Sequence, residues 1–157
     1  MGIDRGIRRD RWGVAHVTGA DTREVFRGLG YAHARDRALQ MLFMRILGQG
    51  RVAECLDPGD GSLAIDTFFR KMNWAAGVER QVGLLAPEAR SLVDAYCDGA
   101  NAGFARSTPW ELKLLGCPVE PWTPGDCILL SRMTGYLTLA QSQAELERLV
   151  VEMVQAG

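Results

Sequence analysis

Apolar side chains recur at helical spacing through most of this chain, and one short stretch alternates as a strand does. Residues 12–19, WGVAHVTG, combine alternating apolar and polar positions with flanking glycines, which predicts a strand. From Asp21 onward the apolar positions follow the period of an α-helix. The pattern therefore predicts a mainly α-helical chain with one early strand.

The first predicted helix carries capping signals at both ends. Asp21 followed by Glu24 is typical of a capped first turn. The apolar pattern then continues to Leu47, and Gly48 and Gly50 are the residues expected to end the helix. We therefore expect one long helix at this position.

Charged and polar residues interrupt this helix among large apolar side chains. They are Arg35, Asp36, Arg37, Gln40 and Arg45. An ionised carboxylate is costly to bury alone, so we expect Asp36 to be paired inside the protein with Arg37 or with Gln40. A general acid at Asp36 is the alternative, and we expect Arg45 to be paired inside as well.

Five further helical segments follow. They are a weak helix over residues 65–85, an amphipathic helix from Pro87 to Phe104, a short turn over 111–115, a helix from Pro124 to about Ala140 and a last helix beginning at Ser142. We expect N-caps at Thr123, with Asp126 in the first turn, and at Ser142, with Glu145. Two of the helices are apolar beyond a single stripe, so we expect a partner to cover them.

Composition fits one domain and argues against some partners. The chain has 157 residues, 47% of them hydrophobic, so we expect residues 1–157 to form a single helical domain. The basic residues are scattered and the net charge is -1, which argues against nucleic acid. No apolar run reaches the roughly 18 residues of a membrane span. We expect a periplasmic or secreted protein if a leader has been removed, and a cytoplasmic one otherwise.

No complete catalytic motif appears in the chain. Patterns of the serine-hydrolase elbow, P-loop, dinucleotide-binding and zinc-protease types are absent. The two histidines, His16 and His33, are expected to be structural, with a hydrolase built around one of them as a weaker alternative. The four cysteines lack zinc-ligand spacing, so we expect buried thiols rather than a disulfide or a metal site. Any activity must therefore be completed by residues outside these motifs.

Four motifs stand in a fixed order along the chain. The first has the form G-Y-x-x-A-x-D-R-x-x-Q-M and consists of Gly30, Tyr31, Ala34, Asp36, Arg37, Gln40 and Met41, followed by Arg45, Gly50 and Glu54. The others are residues 10–19, the Y-x-x-G-x-N-A pattern over 96–102 and the segment PWTPGD over 121–126. Together they resemble the α chain of the penicillin acylases, a family of N-terminal-nucleophile hydrolases.

The resemblance implies a division of labour between two chains. Members of this family cut themselves from one precursor into a small, mostly helical α chain and a large β chain that begins with the nucleophile, usually Ser. The assembled heterodimer is an α+β protein, with two sheets sandwiched between helices (αββα). We therefore expect this chain to be the α subunit of an acylase that cleaves the amide bond of N-acyl compounds. No catalytic residue is expected in the chain itself.

The resemblance also names candidate substrate and metal residues. Counted from Pro121 without a gap, the acyl-pocket positions fall on Gly135, Thr138 and Leu139, where the best-known members have Met, Arg and Phe. These differences imply a roomier apolar pocket without a cation for a substrate carboxylate. Besides penicillins, an N-acyl-homoserine lactone or a lipopeptide is therefore an alternative substrate. The same count places Glu145 on a glutamate that helps the β chain to hold a calcium ion.

A second class of function stays open. The chain is alternatively a non-catalytic helical interaction subunit whose apolar faces dock on a partner. A partner chain that begins with Ser, Cys or Thr would distinguish the acylase from this alternative.

Overall fold

The computed structural model describes most of the chain. The described ranges are residues 6–106, 108–114, 116–136, 138 and 141–156, with side chains over 145–155 in the last of these. The expectation at Leu139 therefore lies outside the described residues, as does residue 115 of the predicted short turn.

A small antiparallel hairpin opens the described chain. Strand β1 (Ile7–Arg9) pairs with strand β2 (Ala15–Val17), and Ile7 lies opposite Val17. The predicted early strand is confirmed, although it is shorter than the alternating pattern. Its partner β1 was not predicted, because IRR carries no alternation that marks a strand.

Helices make up nearly all of the remaining described structure. In chain order they are α1 (Thr22–Gln49), α2 (Val52–Cys55), α3 (Asp60–Met72), α4 (Val78–Gly83), α5 (Pro87–Arg106), α6 (Trp110–Leu114), α7 (Pro124–Gly135) and α8 (Gln141–Ala156). The prediction of a mainly α-helical chain is thus confirmed.

Helix α1 has the ends that its capping signals predict. The Asp21 carboxylate accepts a hydrogen bond from the Glu24 backbone amide at 2.8 Å. At the other end Gly50 has φ 64°, a left-handed conformation that suits glycine. Arg37 departs from helical geometry, with φ −131° and ψ 22°, so two helical segments meet there at a kink.

Helices α1 and α5 cross so closely that glycine is needed at the crossing. A Cβ atom at Gly30 would lie 2.0 Å from the Tyr96 carbonyl oxygen, and one at Gly99 would lie 1.8 Å from the Arg27 carbonyl oxygen. The neighbouring Ala34 and Ala100 are completely buried. Small residues on both helices therefore set the distance between them.

The hydrophobic core lies between these two helices and the segments that follow them. Its most deeply buried members are Ala34, Leu42, Ala100, Phe104, Leu112 and Trp122. Most of the apolar surface of α1 is covered within the chain, while Leu39 and Phe43 stay exposed.

Three boundaries differ from the sequence predictions. Helix α7 ends at Gly135 rather than near Ala140. The weak helical pattern over 65–85 forms two helices, because Asn73 adopts a left-handed conformation (φ 60°) and ends α3. Helix α8 begins at Gln141, so Ser142 lies inside its first turn and the prediction of Ser142 as the N-cap is wrong. The predicted cap at Thr123 is confirmed, with a reciprocal capping box to Asp126.

The last helix leaves its apolar stripe uncovered. The exposed apolar side chains of α8 are Leu146, Leu149, Val150, Val151, Met153 and Val154. Helix α3 exposes Leu63, Ile65, Phe68 and Met72. Exposed apolar patches of this kind are typical of protein–protein or membrane interaction sites and of ligand-binding grooves.

Within the described ranges, every helix is too short or too polar to cross a bilayer.

Candidate functional site

A buried ion pair fixes the start of α7. The Arg45 guanidinium lies 3.6 Å from the Asp126 carboxylate, and the two side chains are 5% and 7% exposed. Arg45 also donates to the carbonyl oxygens of Glu120 and Pro121 at 3.2 and 3.1 Å. Because these bonds satisfy the buried guanidinium, the segment before α7 is held against α1. The expected pairing of Arg45 inside the protein is confirmed.

A second set of hydrogen bonds holds the same segment against α5. The Asn101 side-chain amide donates to the Trp122 carbonyl oxygen at 2.9 Å and accepts from the Trp122 backbone amide at 2.6 Å. The Trp122 ring is buried and packs against Phe104, with ring centroids 6.1 Å apart. Asn101 and Arg45 thus position α7 from two sides.

Asp36 is not part of these buried contacts that hold α7. Its side chain is 40% exposed and forms an ion pair with Arg9 of the hairpin. Arg37 and Gln40 are exposed as well. The prediction of an interior network among these residues is therefore wrong. The pattern around Asp36 favoured a partner one turn away, whereas the hairpin folds against α1 and supplies a cation from 27 residues away.

Two of the three expected acyl-pocket residues, Gly135 and Thr138, lie at or just after the end of α7. Gly135 is the last residue of this helix, and a Cβ atom there would have no neighbour within 4 Å. The Thr138 hydroxyl donates to the Thr134 carbonyl oxygen at 2.7 Å, so its polar group is partly satisfied within the helix end. The surface at Gly135 therefore has room for a larger group.

An aromatic cluster lies directly beside these positions. It consists of Phe68, Phe69, Trp74 and Tyr136. The Trp74 and Tyr136 rings are 4.7 Å apart, and Trp74 meets Phe68 and Phe69 edge to face at 6.4 and 5.5 Å. Phe68 and Tyr136 are 44% and 38% exposed, so the cluster presents aromatic surface outward.

Arg132 ties the Trp74 loop to α7. Its guanidinium donates to the carbonyl oxygens of Trp74 and Ala76 and to the Gln81 side chain, the last two at 2.8 and 2.7 Å. Sequence reasoning missed both Trp74 and Arg132. They lie 58 residues apart, and no local periodicity joins them.

Both histidines have the contacts expected of structural residues. His16 Nε2 lies 3.1 Å from the Asp10 carboxylate, and this hydrogen bond lowers the pKa of Asp10. His33 Nδ1 lies 3.0 Å from the Tyr96 hydroxyl. Partial burial lowers the pKa of His33.

All four cysteines are free thiols. Cys55, Cys97 and Cys117 are buried and Cys127 is half-buried, which confirms the expectation of buried thiols for the first three. The positions are distributed over α2, α5, the segment before α7 and α7 itself.

Glu145 lies exposed in the first half of α8. Calcium takes six to eight oxygen ligands, and the described part of the chain contains no group of three or more acidic, histidine or cysteine side chains placed to hold a metal. The described residues of this chain therefore do not form a calcium site by themselves.

Comparison with known proteins connects this frame to one family. Residues 6–156 match the family model described as penicillin amidase. The chain belongs to the penicillin amidase family. The motif residues Gly30, Arg45, Gly99, Asn101 and Trp122, on which the resemblance rested, are those that build the helix crossing and hold α7.

Curated relatives include penicillin acylases and acyl-homoserine lactone acylases. The chain is 34% identical over 133 residues, 83% of its length, to the penicillin acylase 2 proenzyme of Pseudomonas sp. strain SE83. Identity is 32% over 148 residues, 92% of the chain, with the acyl-homoserine lactone acylase QuiP of Pseudomonas aeruginosa. It is 30% over 152 residues, also 92% of the chain, with penicillin G acylase of Escherichia coli. The aligned part is only 17–18% of each relative.

A solved structure matches the fold over almost the whole chain. The match is to thermostable penicillin G acylase from Alcaligenes faecalis, with a TM-score of 0.73 and 26% sequence identity. It covers 94% of this chain and 82% of the matched chain. The helical fold described above is thus similar to that of a penicillin G acylase chain of similar size.

Proposed function

We propose that this chain is the α subunit of a self-processed acylase that hydrolyses the amide bond of N-acyl compounds. The observation that carries the proposal is the family match over residues 6–156. Support comes from the contrast in coverage, since the match spans 82% of a solved penicillin G acylase chain but 17–18% of the curated relatives. One relative is itself named a proenzyme.

In this proposal the β chain supplies the chemistry. Its N-terminal Ser, Cys or Thr attacks the amide carbonyl, and its own α-amino group, with an ordinary pKa of about 7.7 to 8.0, accepts the proton. Backbone or side-chain N–H donors stabilise the oxyanion of the tetrahedral intermediate. The amine then leaves with a proton, and water hydrolyses the acyl-enzyme.

The α chain contributes to binding of the acyl group. We place the acyl end of the substrate at Gly135, Thr138 and Leu139. Support comes from the open space around Gly135 and from the aromatic cluster beside it, which together suit an apolar acyl chain. Thr138 offers no cation to a substrate carboxylate.

Two substrate classes fit this apolar site. The first is a penicillin or related acyl amide, and the second is an N-acyl-homoserine lactone or lipopeptide with a long aliphatic chain. The open position at Gly135 favours the longer acyl group, because a side chain there would shorten the pocket. A relative named as a penicillin acylase and one named as an acyl-homoserine lactone acylase have similar sequence identity to this chain, 34% and 32%.

The β chain is also the partner that we assign to the exposed apolar faces. The stripe of α8 and the outer face of α3 would be buried against it. Glu145 would add one carboxylate to a shared structural calcium site whose other ligands belong to the β chain. Calcium would then stabilise the assembly, and chelation would weaken it.

Two measurements test the proposal. Intact-mass analysis and N-terminal sequencing of the native protein should find a second chain of several hundred residues that begins with Ser, Cys or Thr. That protein should release free acid from penicillin G or from N-decanoyl-homoserine lactone. A native protein without such a second chain would refute the acylase and leave the non-catalytic interaction subunit.

A substitution at Gly135 tests the acyl pocket. Gly135→Met should lower kcat/KM for a decanoyl substrate at least about tenfold relative to a butanoyl substrate, because the side chain fills the open space. Gly61→Met is the matched control, since a Cβ there also has no neighbour within 4 Å and the residue lies in the first turn of α3, about two helical turns before Phe68. Equal losses for both substrates would refute the placement.

A further inference from the structure

The cysteines form two close pairs with different surroundings. The Cys97 and Cys127 sulfur atoms lie 3.9 Å apart, although the residues are 30 positions apart on α5 and α7. Cys55 and Cys117 are buried in the same core cluster, and burial together with the neighbouring Cys117 thiol raises the pKa of Cys55. The second pair thus provides an internal comparison for the first.

Cys127 of the first pair borders an open groove. The groove has a volume of about 330 Å³ and runs between α1, α5 and α7. Its lining includes Cys127 and is otherwise mostly apolar, formed by Phe26, Leu29, Val93, Tyr96, Trp122 and Leu130. Cys97 lies behind Cys127 and is only 5% exposed.

Hydrogen bonds make the two thiols of this pair unequal. The Trp122 indole nitrogen donates to the Cys127 sulfur at 3.4 Å. The Cys97 and Cys127 thiols are also in hydrogen-bond contact at 3.9 Å, in which either sulfur can be the donor. The contact with Cys97, and after it the bond from Trp122, lower the pKa of Cys127, whereas the contact with Cys127 and burial raise the pKa of Cys97. Cys127 also lies in the first turn of α7, where the helix dipole favours an anion, although burial and the Asp126 carboxylate oppose it.

We propose that Cys127 and Cys97 form an oxidisable dithiol that reacts with an organic hydroperoxide in the apolar groove. The Cys127 thiolate attacks the terminal oxygen of the hydroperoxide, the O–O bond breaks, and the alcohol leaves with a proton. The resulting sulfenic acid is attacked by Cys97 sulfur, which forms the S–S bond and releases water. Two thiols and one hydroperoxide thus yield one disulfide, one alcohol and one water molecule.

The geometry requires a modest movement for the second step. A disulfide bond is about 2.05 Å long, so the two sulfur atoms must approach by about 1.9 Å from their present 3.9 Å. The half-buried Cys127 is the side chain with room to move, because the groove lies on its open side. The resulting link would join α5 to α7 next to the Asn101 and Trp122 contact.

Alkylation of the assembled, reduced protein tests the difference between the pairs. At pH 7, N-ethylmaleimide should label Cys127 at least about tenfold faster than Cys55, because Cys127 borders a groove and has a lowered pKa while that of Cys55 is raised to about 11. Equal labelling rates at the two residues would overturn the proposal.

Peptide mapping tests the disulfide itself. After treatment with cumene hydroperoxide, tryptic digestion without reduction should yield residues 91–106 linked to residues 114–132. The second peptide also contains Cys117, so the Cys117→Ser variant assigns the link to Cys127. Cys127→Ser should abolish the linked peptide, and the matched control Cys55→Ser should retain it. The proposal would be overturned if the treated wild-type protein, shown by alkylation to have a reactive Cys127, lacked the linked peptide. It would also be overturned if the Cys127→Ser variant retained that peptide.

Discussion

Replacement of Gly99 by alanine should separate the two central helices. A Cβ atom at Gly99 would lie 1.8 Å from the Arg27 carbonyl oxygen, and ordinary contact needs at least 3.4 Å. Helices α1 and α5 would therefore have to move apart by about 1.6 Å. Overpacking in a rigid core costs about 1–3 kcal/mol or more, and the obstacle here is backbone rather than a flexible side chain. We expect a loss at the upper end, about 3 kcal/mol.

The assay is chemical unfolding of the assembled protein, followed by circular dichroism. Gly61→Ala is the control, because a Cβ at this helical position has no neighbour within 4 Å. The control should be neutral or stabilised by up to about 1 kcal/mol, since alanine favours helix. A Gly99→Ala variant as stable as the Gly61→Ala variant would refute the close crossing.

Three further perturbations test other contacts. Arg45→Met should lower the free energy of unfolding by about 3–5 kcal/mol, because it leaves the Asp126 carboxylate buried without its cation. A loss below about 1 kcal/mol would contradict this role of Arg45. The Asp66 carboxylate accepts hydrogen bonds from two backbone amides at the start of α2, one at each oxygen. An asparagine side chain has a single oxygen and cannot accept both bonds. Asp66→Asn should therefore lower the free energy of unfolding by about 1–3 kcal/mol in the same assay. His33 should titrate below 6.5 by NMR, because partial burial lowers its pKa. Its stabilising contribution is therefore present above pH 6.5 and is lost as the pH falls through the folded-state pKa. A midpoint at or above 6.5 would contradict the partial burial of this imidazole.

Local signals predicted the helices because each signal lies within one turn. Asp21 with Glu24 and Thr123 with Asp126 form caps whose partners are three residues apart, and both are found as predicted. The Asp36 partner could not be found in this way. Helical spacing favours neighbours on the same helix, but Arg9 reaches Asp36 only after the hairpin has folded against α1.

The candidate site shows the same limit. The resemblance identified Gly135 and Thr138 by counting along the chain, and the fold places both at the end of α7. Trp74 belongs to the same surface only because Arg132 binds its carbonyl oxygen across 58 residues. Side chains that come into contact through a loop do not share one helical period in the sequence, so hydrophobic periodicity cannot predict their contact.

The family motifs and the proposed acyl-pocket positions have different physical tasks. Gly99 permits the helix crossing, Asn101 holds the Trp122 backbone, and Arg45 fixes the start of α7. These contacts are buried and closely packed, and they do not involve the open surface at the other end of α7. A Cβ atom at position 135 would meet no neighbour within 4 Å. In the proposed function, substitutions at this end would therefore change the acyl group that binds and leave the packing of α1, α5 and α7 intact.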